Sequence, residues 1–164
     1  MISSFNNIED YITGGYDTSA FTSTALTIIN TIQITSGDIK SGETFTISAG
    51  FQKTGASTYN IYFYYNTATT LTGAVKLATA SATTTDTSPT VIRTIRPYAG
   101  DPTFLDHLTP TFVSYDDWGI STAALSTTVL NNDIETVTGY FIVAAQRTSV
   151  STVPLINNFF IVEL

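Results

Sequence analysis

The sequence predicts an all-β protein, an antiparallel β-sandwich of jelly-roll topology with a short helical arm at its N-terminus. Three observations carry that expectation. Apolar residues recur with a period of two along most of the chain, clusters of Gly, Asn, Asp and Ser separate the periodic runs at short intervals, and a helical period is almost absent. An immunoglobulin-like sandwich is the competing arrangement, but its Cys and Trp core signature is missing.

Asn6 and Asn7 can cap a short helix whose first turn carries Glu9 and Asp10, and Gly14-Gly15 would stop it. From Thr27 the period becomes two. Ile28, Ile32 and Ile34 mark a strand, and Ser36-Gly37-Asp38 with Ser41-Gly42 marks the turns after it. Phe45, Ile47, Ala49 and Phe51 alternate with Thr44, Thr46, Ser48 and Gly50, so one face is apolar and the other hydroxyl-rich or bare. Lys53 to Ser57 turns the chain into the next run, where Tyr59, Ile61, Phe63 and Tyr65 share one face and Tyr62 and Tyr64 the other. Aromatics on both faces predict a central strand, covered inside by the second sheet and outside by a loop or a neighbouring subunit.

Val75, Leu77 and Thr79 alternate in the following strand, which leads into a β-prone Thr/Ser/Ala tract from Thr79 to Ser88. Val91 to Arg96 is another strand, ended by Pro97, and Tyr98 to Pro110 reads as a long connection. Phe112-Val113-Ser114 is a brief strand, Asp116-Asp117-Trp118-Gly119 a turn, and Leu125 to Leu130 a further strand, while Ile120 to Leu125 could hold a helical turn. Tyr140 to Arg147 and Leu155 to Leu164 are the last strands. Residues 1–26 are thus expected to form an arm and 27–164 a single sandwich domain.

The chain has 164 residues, enough to bury a two-layer core without metal or disulfide. It has no cysteine, so thiolate chemistry and disulfides are excluded. Acidic residues outnumber basic ones 13 to 6, and the net charge of -7 opposes a nucleic-acid backbone. Charged residues make up 12%, about half the usual ~25%, and Thr alone supplies about a fifth. A hydrophobic content of 43% argues for a folded chain with a polar but weakly charged exterior. Met1 to Gly15 lacks the basic and apolar regions of a secretion signal and no apolar run reaches membrane-spanning length, so a soluble protein without a membrane partner is expected.

His107 is the lone histidine and reads as a polar loop residue rather than a general base. No Gly-x-Ser-x-Gly elbow exposes a serine nucleophile, and one histidine with scattered carboxylates falls short of a zinc site. Asp116, Asp117, Asn131, Asn132, Asp133 and Glu135 are oxygen ligands in turns, but without an Asp-x-Asp-x-Asp-Gly loop they read as turn formers rather than a calcium site. Adjacent Asp116 and Asp117 would point to opposite faces and could not flank one glycosidic bond. Arg93 and Arg96, three positions apart, likewise face opposite ways. No catalytic residue, cofactor or metal is therefore expected. Trp118, Tyr115 and Tyr98 could stack on sugar rings, since an exposed aromatic offers an apolar face with a polar handle.

The segment from Phe51 to Tyr62, Phe-Gln-Lys-Thr-Gly-Ala-Ser-Thr-Tyr-Asn-Ile-Tyr, followed by Tyr65 to Ala74, resembles β-sandwich modules of bacteriophage virions, those of capsid-decorating proteins and of head or tail fibres. The resemblance continues more weakly through Val75 to Ala80, Val91 to Arg96 and Phe159 to Leu164, about two-thirds of the chain. It implies a non-enzymatic jelly-roll-like unit, often trimeric, located in the virion and contacting other virion proteins. It maps no functional residue. The residues themselves suggest that Tyr11, Tyr16 and Phe21, aromatics in a polar segment, form an assembly arm. The competing expectation is a module that binds a host surface glycan through Trp118 and the loop tyrosines.

Overall fold

A computed structural model describes residues 11–14, 20–83, 87–108, 112–114 and 127–164. Among them the chain is all β, with eleven strands: β1 (Tyr11–Gly14), β2 (Thr27–Ile34), β3 (Phe45–Gln52), β4 (Tyr59–Asn66), β5 (Val75–Ala82), β6 (Pro89–Tyr98), β7 (Asp101–His107), β8 (Phe112–Ser114), β9 (Thr127–Val129), β10 (Gly139–Arg147) and β11 (Ile156–Glu163). They form two antiparallel sheets. Sheet 1 runs β1-β11-β3-β6-β7-β9, with β8 also paired to β6, and sheet 2 runs β2-β10-β4-β5.

The two sheets pack face to face in a sandwich-like arrangement because their strands alternate. On β4, Tyr59, Ile61, Phe63 and Tyr65 are 2% exposed or less and point into the core, while Asn60, Tyr62, Tyr64 and Asn66 are half-buried on the outer face. The facing strand β3 presents Phe45, Ile47, Ala49 and Phe51 to the same core. Rings meet between the sheets: Phe45 lies 5.3 Å from Phe141 and Phe63 lies 5.9 Å from Phe160. Each such phenylalanine, once buried, contributes about 1.5–3 kcal/mol.

Most strands lie where the period-two pattern places them, with four differences. The expected helix does not extend to Gly14, because Tyr11 to Gly14 are extended and pair with Phe160 to Glu163 of β11. Tyr, Ile and Thr favour the extended state, and the edge of β11 supplies the partner that a lone helix would lack. The rest of that helix, residues 1–10, lies outside the described residues.

Pro97 does not end β6. The ladder between β3 and β6 stops at Phe45 and Ile95, so no bond is asked of the proline nitrogen on that side, and the Pro97 carbonyl accepts instead from Gly42 N at 2.8 Å. Nor is Tyr98 to Pro110 one long connection. Tyr98 pairs with Asp101 across a two-residue Ala99-Gly100 turn, Gly100 takes a φ of 96°, and β7 runs back along β6. On β5, a bulge opposite Phe63 and Tyr64 keeps Leu77 in the core and turns Thr79 outward.

One buried polar residue joins the sheets. Asn157 is 1% exposed at a bulge in β11, and its amide nitrogen donates to the carbonyls of Gly50 (3.0 Å) and Phe159 (2.8 Å). Its Oδ1 accepts from Asn30 Nδ2 on β2 at 3.2 Å. On the outer face the same bulge lays the Phe159 ring over Gly50, where a Cβ would meet ring carbon at 2.1 Å. Replacing Asn157 with Ala removes these hydrogen bonds from a buried site, and a loss of about 2–4 kcal/mol is expected in urea denaturation. Asn158→Ala, at an exposed position next door, is expected to cost less than about 0.5 kcal/mol.

Candidate functional site

Two surfaces and one buried cluster concentrate the distinctive chemistry. The cluster lies where β6, β7 and β9 meet. Arg93 and His107 sit at inward positions of their strands, 5% and 3% exposed. His107 is therefore not a loop residue: the β6–β7 hairpin carries it to a register position opposite Ile95. Arg93 Nε donates to His107 Nδ1 at 2.9 Å, and because Arg has no acceptor the histidine must be neutral with its proton on Nε2. That N–H donates to Thr128 Oγ1 on β9 at 2.7 Å. Burial, and then the Arg93 charge, push the His107 pKa down from 6.5 to about 4, against a smaller upward pull from Asp106. Both ring nitrogens are engaged, so the imidazole locks β9 to β6 through β7.

The outer side of the same strands forms a ledge. Arg96 and Asp106 form an ion pair there at 3.2 Å. Tyr98, 56% exposed, meets Phe104 edge to face with centroids 6.4 Å apart. Tyr98, Asp101, Phe104 and Asp106 line an open cavity of about 400 Å³.

The third feature is the outer face of sheet 2. Ile142 and Ala144 alternate with the core residues of β10 and so point outward, yet both are 0% exposed. Their cross-strand partners on β4 are Tyr64 and Tyr62, whose rings lie 6.0 Å apart, and Tyr140 continues the row on β10. Burial, and secondarily the Tyr62 hydroxyl, raises the Tyr64 pKa. Lys76 Nζ sits 5.9 Å from the centre of the Tyr62 ring. The four strands of this sheet carry no Asp or Glu at all, and Lys76 and Arg147 are their charged residues.

No family model, curated protein or solved structure matches the chain.

Of the residues singled out from sequence, Tyr98 stands exposed on the ledge, whereas Tyr115 and Trp118 lie outside the described residues, as do Asp116, Asp117 and Tyr16. Tyr11 belongs to β1. Phe21 forms an isolated bridge to Leu155 and packs its ring 5.9 Å from that of Tyr59. Arg93 and Arg96 do face opposite sides, one buried and one outward. Asp133 works as a turn former, accepting from Glu135 N at 2.8 Å and Thr136 N at 3.3 Å. Among the described residues no group of three His, Cys, Asp or Glu side chains is placed to hold a metal ion, and no helix is long and apolar enough to cross a membrane. Sequence reasoning missed Phe104, Asp106 and Thr128; the Gly100 turn before the alternation of Thr103, Leu105 and His107 was the signal available.

The buried histidine sets a pH dependence. Its folded pKa is depressed, so between pH 6.5 and about 4 the unfolded chain takes up a proton that the folded one refuses. Stability is expected to fall as pH drops through that window, by up to about 3 kcal/mol from this group. His107→Gln keeps an acceptor for Arg93 and a donor for Thr128 but cannot titrate. Urea melts from pH 7 to pH 4 should therefore show a slope shallower by about one proton in the variant than in the parent.

Proposed function

We propose that this chain is a non-enzymatic structural subunit that works by associating with copies of itself, as an auxiliary capsid or fibre component of a phage particle. The outer face of sheet 2 carries this reading. It is broad, tyrosine-lined and free of carboxylates in a chain of net charge -7, so sister copies can meet there without bringing like charges together. Tyrosine enrichment with depletion of Asp, Glu and Lys is the composition of an interface core.

The strand pairing supports a jelly-roll reading. Taking β1 to β6, β10 and β11 as eight principal strands, the first pairs with the last, the second with the seventh, the third with the sixth and the fourth with the fifth. That is one long hairpin rolled into two sheets, an architecture common among viral capsid and lectin domains. A closed ring, of which a homotrimer is the form proposed, would also cover exposed sheet edges. Placement in a phage virion rests on the resemblance of Phe51 to Tyr62 and Tyr65 to Ala74. The engagement of both His107 nitrogens supports the non-enzymatic part, and the acidic balance supports partners other than nucleic acid. A second reading, recognition of a host surface glycan, is favoured by the exposed Tyr98.

Light scattering and negative-stain imaging of the purified chain test the leading reading. A trimer is expected for the parent and a monomer for Thr31→Glu or Tyr64→Glu, each of which sets a carboxylate on the outer face. Antibody labelling should place the protein on the particle. A parent chain that stays monomeric at high concentration and is missing from particles would overturn the proposal.

A further inference from the structure

We propose that the ledge at the β6–β7 hairpin is a binding site for a neutral saccharide, with Tyr98 as the stacking platform and Asp101 and Asp106 as hydroxyl acceptors. The inference rests on and deepens the glycan-recognition reading: it keeps Tyr98, which the sequence singled out, and adds Phe104, Asp101 and Asp106, which it did not.

Tyr98 is a large aromatic left 56% exposed beside a cavity of about 400 Å³. Phe104 packs against it in a T-shaped contact with centroids 6.4 Å apart, and Val129, 59% exposed, lies opposite Phe104 on β9. A sugar ring has one apolar C–H face and a rim of hydroxyls, so it asks for an aromatic surface with acceptors and donors around it. The ledge supplies both. Asp101 Oδ1 is taken by Thr103 N and Oγ1, and Asp106 Oδ2 by Arg96, which leaves one oxygen of each carboxylate without a partner among the described residues. The Arg96 guanidinium adds donors at the same rim.

Charge selects the ligand class. Two carboxylates against one guanidinium disfavour an acidic glycan, and they disfavour a second copy of this acidic chain. The pairing of Asp106 with Arg96 removes half of what a basic peptide would seek. A neutral, hydroxyl-rich ring meets no such conflict.

The test uses the full chain on an array of neutral, sialylated and sulfated glycans, with oligolysine as the basic probe. Retention of at least one neutral glycan is expected, with little binding to the acidic glycans or oligolysine. Tyr98→Ala and Asp101→Asn should weaken that binding, about tenfold for the loss of the ring, while Tyr98→Phe retains it. Oligomeric mass and melting temperature should not change in these surface variants. The ledge is excluded as the site if no neutral glycan binds at millimolar concentration, if oligolysine binds better, or if Tyr98→Ala and Asp101→Asn bind as the parent does. Binding that survives Tyr98→Ala but is lost in Trp118→Ala would overturn the ledge while keeping glycan recognition elsewhere on the chain.

Discussion

The contact between the two inner sheet faces is the constraint on which the rest of this molecule depends. Phe45 against Phe141 and Phe63 against Phe160 bridge the gap between the layers, and they can do so only if inward and outward positions alternate along β3, β4 and β10, and along β11 on from its bulge at Asn157. A slip of one residue in any of these strands would send its apolar set to the surface. Asn157 fixes one such alignment from within, because its hydrogen bonds to β3 and β2 are made at a single register.

That inner constraint leaves the outer faces free to differ. Sheet 2 collects Tyr62, Tyr64 and Tyr140 over the buried Ile142 and Ala144 and excludes carboxylates from its strands. Sheet 1 instead carries Asp101 and Asp106 beside Tyr98 on the β6–β7 hairpin. The two surfaces therefore differ in chemistry: one is tyrosine-lined with no carboxylate on its strands, and the other is an open cavity lined by Tyr98, Phe104 and two carboxylates. The His107–Arg93–Thr128 cluster lies behind the second surface and holds β7 and β9 in place, so the ledge depends on a buried network as well as on its own side chains.

Strands with strict alternation were legible in the sequence. β3 and β4 lie where Phe45 to Phe51 and Tyr59 to Tyr65 predict, and β10 and β11 begin and end within about two residues of expectation. The β6–β7 hairpin was not legible, because Pro97 read as the end of a strand; only the end of the β3 ladder at Ile95 makes it harmless. His107 was misplaced for the same reason, since a loop assignment hides an inward-facing position. Asn157 could not be read at all: its partner Asn30 is 127 residues away, and no local pattern announces a contact of that range. The tyrosines of β4 did mark an interior strand, which lies between β10 and β5, although sequence alone could not show that the strands around them lack carboxylates as a group.

Hydroxyl-radical footprinting of the tyrosines, at dilute and at assembly-forming concentrations, tests most directly whether the outer face of sheet 2 is where copies meet. Protection of Tyr62, Tyr64 and Tyr140 on assembly, with Tyr98 still reactive, is the expected result. Equal reactivity of the three at both concentrations, in a sample that has demonstrably assembled, would contradict it.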